Sequence, residues 1–412
     1  MPQLNLDFVR RNFPALREDV VLLDNAGGSQ VASQVAERIT EFLFSAYVQL
    51  GATYATSAEA SKKVHAGRSA LATLMNAARP EEVVMGATST QLFDQLARAL
   101  VQTWSAGDEV IVTSFDHEAN IGPWRKLADQ GVVVKEWALR PGTHHPNLDD
   151  LRDLLTPNTR LVAMTHVSNI FGSIYPIREV ADLVHENKTL LCVDGVAFAP
   201  HRAIDVQALG ADFYAFSVYK VYGPHHAALY GRYDLLQAAG NINHYFYSDD
   251  KVPGKLEPGN ANYELAYSCL GITDYLQAFA KAHGVEVEGR AAIEAAFEIM
   301  AVHEAELAEK FLNYLRNRDD VFIIGDSSSD VHRRVPTISF ILEGCNSRDV
   351  VEAIDPSGIG IRYGDFNSKR LVESMNLPNA DGVIRVSAVH YNTSAEFDRL
   401  IDCLEKLGNK KG

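Results

Sequence analysis

Between about residues 80 and 230, short apolar or β-branched runs alternate with amphipathic stretches. That alternation predicts a largely parallel sheet with crossover helices. The runs at 82–85, 109–113, 132–137, 160–165, 189–193 and 213–216 read as strands. Apolar residues at helical spacing over 91–103 and 177–187 predict helices packed on that sheet. Beyond Gly259 the period changes. A tract rich in Ala, Glu and Leu and free of Pro keeps helical spacing from about 265 to 316, with Gly284 as its expected break. A strand at 335–342, a helix at 347–354, a strand at 382–388 and a terminal helix at 394–407 complete a smaller α+β lobe. No internal repeat or low-complexity linker separates the two lobes, so they are expected to pack closely.

Length and composition narrow the class. The chain has 412 residues, enough at roughly 150 residues per domain for two or three domains, or for one large α/β unit with an appendage. An apolar fraction of 47% with 22% charged residues is that of a globular chain with a sizeable core. Against 53 Asp and Glu stand 38 Lys and Arg, a net charge of −15, which speaks against a surface that neutralises nucleic-acid phosphates. No apolar run approaches the length of a bilayer-spanning helix, and Asp7, Arg10, Arg11 and Arg17 interrupt the first apolar positions. Neither a membrane segment nor a secretory signal is expected, and the chain reads as cytoplasmic. The cysteines at 192, 269, 345 and 403 form no Cys-x-x-Cys pair, so a disulfide framework and a metal site are both disfavoured.

Ligands of open parallel sheets bind beyond the carboxyl ends of the strands. Two predicted strands terminate in charge there: Thr189-Leu-Leu-Cys-Val-Asp194 in a carboxylate, and Asp212-Phe-Tyr-Ala-Phe-Ser-Val-Tyr-Lys220 in an amine. A plain ion pair accounts for these two residues as well as a reactive site does. The turn Gly86-Ala-Thr-Ser-Thr90 sits between a strand and an amphipathic helix, where free amides and the helix dipole favour an anion. Ordinary helix capping explains the same residues. The two commonest nucleotide fingerprints are missing, and His117-Glu118 lacks the second His of a metalloprotease helix. Together, an anion turn, a strand-end Asp and a strand-end Lys are the set that pyridoxal phosphate requires. The aldehyde needs a lysine, the ring nitrogen an acid, and the phosphate a helix N-terminus.

Around that set the residues become recognisable. Ser217-Val-Tyr-Lys-Val-Tyr-Gly-Pro224, continuing to Ala228-Leu-Tyr-Gly-Arg232, resembles the lysine segment of class V aminotransferase-fold enzymes, above all their cysteine desulfurase-like branch. Leu22-Leu-Asp-Asn-Ala-Gly-Gly28, Asp116-His-Glu-Ala-Asn120 with Pro123-Trp124, His166-Val-Ser-Asn-Ile-Phe-Gly172, Val193-Asp-Gly195, and Arg385-Val-Ser with Tyr391-Asn-Thr393 match further segments in order. The resemblance implies the PLP-dependent transferase type I fold, an α/β architecture. Its large, mostly parallel sheet domain would span 18–284, and a small α+β domain would comprise 1–17 and 285–412.

It also implies roles. Lys220 would be the Schiff-base lysine and proton shuttle, Asp194 the partner of the ring nitrogen, His117 the ring-stacking catalytic residue, and Asn169 the partner of the ring hydroxyl. Ala87, Thr88, Ser217 and Tyr219 would serve the phosphate. Asn260, with Tyr263, would come from the neighbouring subunit of a homodimer with shared active sites. Asn25, Arg362 and Arg385 would bind a small amino-acid substrate, Arg385 as the clamp on its carboxylate. A surface salt bridge remains open as the role of Arg362.

Three positions depart from the desulfurase pattern. Asn367 stands in Arg362-Tyr-Gly-Asp-Phe-Asn367 where those enzymes carry the persulfide-forming Cys. Ala197 replaces a Gln that supports the ring hydroxyl, a role left to Asn169, His201 or a water. Tyr219 replaces a His before the lysine, and a phenol lacks an imidazole's proton relay near neutral pH. The reaction expected is therefore a lyase reaction, a C–S or other β-elimination from a small L-amino acid without an enzyme persulfide. Aminotransfer or epimerisation is the alternative, and a non-catalytic pyridoxal-binding protein is the alternative of another class.

Overall fold

The computed structural model describes residues 3–259, 261–378 and 381–408. Seven strands form the large sheet: β1 (Val83–Gly86), β2 (Glu109–Thr113), β3 (Val133–Trp137), β4 (Thr159–Thr165), β5 (Leu190–Asp194), β6 (Phe213–Ser217) and β7 (Ala227–Gly231). Their spatial order is β1-β7-β6-β5-β4-β2-β3, and only β7 runs against its neighbours. The alternation of apolar runs foretold six of these strands. It did not foretell β7, whose Ala-Ala-Leu-Tyr-Gly run holds no β-branched residue and takes its conformation from the two strands it joins.

Apart from the edge strand β3, whose Val133 is exposed, the strands are buried on both faces, with successive side chains in opposite cores. Val83, Ile111, Val162, Met164, Leu191, Val193, Tyr214 and Phe216 enter one apolar cluster. Val84, Val110, Val112, Leu161, Ala163, Cys192, Phe213 and Ala215 enter the other. At ~1.5–3 kcal/mol for each fully buried large apolar side chain, this double layer fixes the strand register. Asp194 is consequently aligned with Thr165 on one side and Ala215 on the other.

The helical tract divides into Tyr263–Ser268, Leu270–Ala282 and Gly289–Arg316, with Gly284 left-handed at φ +78° at the break. The long helix serves two cores. Ile293, Phe297 and Met300 pack with the large sheet, whereas Leu307, Phe311, Leu312 and Leu315 pack in the small lobe. That lobe carries an antiparallel sheet of β8 (Val321–Ile324), β9 (Thr337–Leu342), β10 (Arg362–Gly364) and β11 (Val383–Ser387), in the order β10-β11-β9-β8.

The N-terminal segment links the lobes in a way that its sequence does not announce. Val9 and Phe13 pack with the large core, while Val21 and Leu23 join the small-lobe core. Val21–Leu22 pairs in parallel with Ile359–Gly360, and Asp24 bridges to Ser387. This crossing brings Asp24 and Asn25 to the mouth of the large sheet. No helix among the described residues is long and apolar enough to cross a membrane.

Candidate active site

The carboxyl ends of β1, β2, β4, β5 and β6 converge on a cleft whose lining includes Ser89, Thr90, His117, Asn169, Asp194, Ala197, Ser217, Tyr219 and Lys220. Lys220 ends a single turn of tight helix, Val218–Lys220, directly after β6, and is 9% exposed. Burial, with the nearby Arg385 charge, lowers its ammonium pKa to about 8 against the opposing pull of Asp194 and Asp24. An amine so placed is partly neutral near physiological pH and able to accept a proton.

Asp194, the last residue of β5, accepts from the Val196 amide at 2.8 Å. Burial raises its pKa to about 6, moderated by that amide and by Lys220. Behind it lies Asp116, pushed well above the carboxylate range by burial and by the Asp194 charge. Asp116 accepts from the His117 amide and from Asn120 Nδ2 at 2.8 Å, and so shapes the turn carrying His117. The His117 ring accepts the Ala119 amide at Nδ1, 3.0 Å away. Burial and the charges of Lys220 and Arg385 lower its pKa to about 4.

At the anion end, Ser89 opens the helix Ser89–Leu100, and its hydroxyl meets that of Ser217 at 2.9 Å. Ala87 and Thr88 lie outside this lining. The Thr88 hydroxyl accepts from the Gln91 amide at 3.0 Å, and the Ala87 amide donates to Gln91 Oε1 at 3.3 Å. Sequence reasoning places Ser89 and Thr90 within the anion turn but assigns the phosphate contacts to Ala87 and Thr88. Thr88-Ser-Thr-Gln91 has the sequence of a capping box, which signals that the Thr88 hydroxyl is already committed to the helix end. Tyr219 lines the cleft and stacks on His225 with ring centroids 5.0 Å apart. Asn260 lies outside the described residues.

Asn169 faces the cleft, but both ends of its amide hold the loop after β10. Nδ2 donates to the Phe366 carbonyl at 3.0 Å, and Oδ1 accepts from Ser368 Oγ at 2.8 Å. One N–H and one lone pair remain for a ligand. His201 does not join the lining, since its Nδ1 pairs with the buried Glu304 at 3.0 Å. Asn25 is committed to the scaffold, not to the cleft lining. Its Nδ2 donates to the Ser387 carbonyl at 2.8 Å, the Leu22 carbonyl at 3.0 Å and Asn392 Oδ1 at 3.1 Å, and its Oδ1 accepts from Tyr391 Oη.

Arg385 occupies the middle of β11, 2% exposed. NH1 donates to the Asn169 carbonyl at 3.2 Å and NH2 to Asp24 Oδ1 at 3.2 Å. Burial lowers its pKa to about 10, with Asp24 opposing. Arg362 reaches the other oxygen of Asp24 at 3.5 Å, with a side chain 58% exposed. Cys192 and Cys269 are buried, and burial raises both thiol pKa values. Cys345 and Cys403 are partly buried against the small-lobe core.

The donor set fits pyridoxal phosphate. A partly neutral amine, a strand-end carboxyl, a neutral imidazole wall and paired hydroxyls at a helix N-terminus share one cleft. Comparison with known proteins agrees. The aminotransferase class-V family profile matches residues 21–400. The aminotransferase-like protein FGM3 of Gibberella zeae is 44% identical over 98% of both chains. The cysteine desulfurase-like protein ustD of Aspergillus flavus is 33% identical over 98% of this chain and 91% of that relative. The crystal structure of the Escherichia coli cysteine desulfurase CsdA superposes with a TM-score of 0.83 at 26% identity, covering 98% of each chain. The chain belongs to the class V aminotransferase family of pyridoxal phosphate-dependent enzymes, with the cysteine desulfurases among its relatives.

Proposed function

We propose that the protein is a lyase that eliminates the β-substituent of a small L-amino acid, such as a sulfur-substituted alanine, without forming a persulfide on the enzyme. The observation that carries this reading is Asn367. By the resemblance of Arg362-Tyr-Gly-Asp-Phe-Asn367 to the desulfurase pattern it would stand where those enzymes have their nucleophilic Cys, and an amide cannot accept a sulfur atom. The buried Cys192 and Cys269 have thiols whose raised pKa disfavours the nucleophilic thiolate.

Ser217 and Ser89, with the backbone of the Ala87–Thr88 turn, Tyr219 and a partner's Asn260 loop, would hold the phosphate. Asp194 would meet the ring nitrogen, His117 one ring face, and Asn169 the ring hydroxyl. The cofactor, when bound, supplies an electron sink for a bond broken at the α-carbon. Lys220 is the attachment point and the base that takes the α-proton. Arg385 holds the substrate carboxylate, and Arg362 lends a second, more exposed charge. The β-substituent leaves with its electron pair, and water converts the remaining three-carbon fragment to pyruvate and ammonia.

A homodimer with shared sites in the cytoplasm is part of this reading. The dimer is supported by exposed aromatic side chains, including Phe44 at 87% and Tyr245 at 96% exposure. Aminotransfer or epimerisation is the second reading, favoured by the name of the 44% identical aminotransferase-like relative. Product analysis separates the two. Holoenzyme with β-substituted alanines should yield pyruvate, ammonia and the leaving group in equal amounts. Keto acid accumulating with pyridoxamine phosphate, or inverted amino acid, would replace the lyase reading.

A further inference from the structure

The loop after β10 does more than lack a cysteine. Phe366 and Asn367 are both left-handed, at φ +53° and +58°, a conformation that a bulky residue adopts only when its surroundings impose it. The surroundings are specific. Besides the two bonds to Asn169, the Glu118 amide donates to the Asn367 carbonyl at 2.8 Å, and Arg370 forks onto the Glu118 carboxylate at 3.0 and 3.2 Å. The result is a Phe366 ring whose centroid lies 3.7 Å from Cζ of Arg385.

At that distance the guanidinium sits over the ring as a close cation–π contact. A carboxylate approaches a guanidinium in its plane, along an edge, so the ring blocks no approach and instead fixes the plane's orientation. The edges are unequally filled. NH1 and NH2 have partners at 3.2 Å, longer than good charge-assisted bonds. Nε is buried and has no hydrogen-bond partner among the described residues. A buried guanidinium N–H without an acceptor marks the place where one belongs.

We infer that Phe366 is a positioning residue for substrate binding: by stacking on Arg385 it turns the open Nε edge toward the incoming substrate carboxylate. This rests on the amino-acid reading of the site given above. Asp24, held by NH2, is then the internal carboxylate that a substrate displaces from that edge. The same loop that in the desulfurase pattern presents a nucleophile serves here as a fixed support.

The test uses holoenzyme and two ligands, L-alanine and L-alaninamide, with affinities read by calorimetry and by the change in cofactor absorption. Phe366→Ala should weaken L-alanine about tenfold while leaving L-alaninamide within twofold, and Phe366→Tyr, which keeps the stack, should restore L-alanine binding. With substrate, Phe366→Ala should raise KM and leave kcat little changed. Equal weakening of both ligands, or no change in either, would overturn the role of Phe366. Failure of wild-type holoenzyme to bind either ligand would instead sink the amino-acid reading of the site, and this inference with it.

Discussion

The Ala119 amide donates a hydrogen bond to Nδ1 of His117 across 3.0 Å. The Nδ1 lone pair is thereby occupied, and the neutral ring must carry its proton on Nε2. Nitrogen NMR of histidine-labelled protein should find His117 in that single tautomer between pH 5.5 and 8.5, with or without cofactor. A proton on Nδ1 in that range would refute the assignment.

The same ring makes a pH-dependent contribution to stability. Its pKa is lowered from 6.5 to about 4 in the folded state, so the unfolded chain binds the proton more readily between these values. Stability unaffected above pH 6.5 is lost as pH falls toward 4, by about 3 kcal/mol in the limit. Denaturant titrations of wild type and His117→Gln should diverge in that sense below pH 6.5. Parallel pH profiles would show that the ring is not held neutral.

Thr88 and Ser89 are neighbours with opposite tasks. Thr88→Ala removes a helix cap and should cost about 1 kcal/mol of stability while leaving cofactor affinity nearly unchanged. Ser89→Ala should leave stability close to wild type and weaken cofactor binding about tenfold, the loss of one hydrogen bond to a charged group. Equilibrium dialysis against pyridoxal phosphate and thermal unfolding of the apoprotein separate the pair. A reversed pattern would place the anion on the Thr88 hydroxyl.

The two arginines should differ in weight. Arg385 is buried in β11, so Arg385→Ala should raise KM about a hundredfold, equivalent to roughly 3 kcal/mol of charge-assisted bonding. Arg362 holds Asp24 at 3.5 Å from a side chain 58% exposed, and water and salt screen such a pair. Arg362→Ala should therefore change KM by no more than a few-fold. Steady-state kinetics over a salt series checks both, and a larger effect at Arg362 would reassign the clamp.

Lys220→Ala should abolish the cofactor absorption that borohydride fixes to the protein, followed by peptide mapping of the reduced holoenzyme. A variant that still traps the cofactor would move the attachment point to another amine.

What was legible in the sequence is what the sheet dictates locally. Asp194 and Lys220 end apolar runs, and a parallel sheet buried on both faces leaves such residues only one place, the carboxyl edge. Arg385 was legible for a related reason, as an arginine inside an apolar strand needs partners. The uses of Asn25 and Asn169 were not legible. Their partners, Ser387 and Ser368, are separated from them by 362 and 199 positions in the chain, and no periodicity encodes which lobe will supply an acceptor. The Phe366 stack was hidden in the same way, because it depends on a loop conformation that Asn169 and Glu118 impose from the other lobe.

The most direct test of the account follows the sulfur. Holoenzyme turning over a sulfur-substituted alanine should give pyruvate and the free sulfur leaving group one for one, while intact-mass spectrometry finds no added sulfur on any cysteine and Cys345→Ser/Cys403→Ser protein keeps the wild-type rate. A persulfide on Cys345 or Cys403, with sulfur release lost in the double variant, would contradict the claim that this chain works without an enzyme thiol.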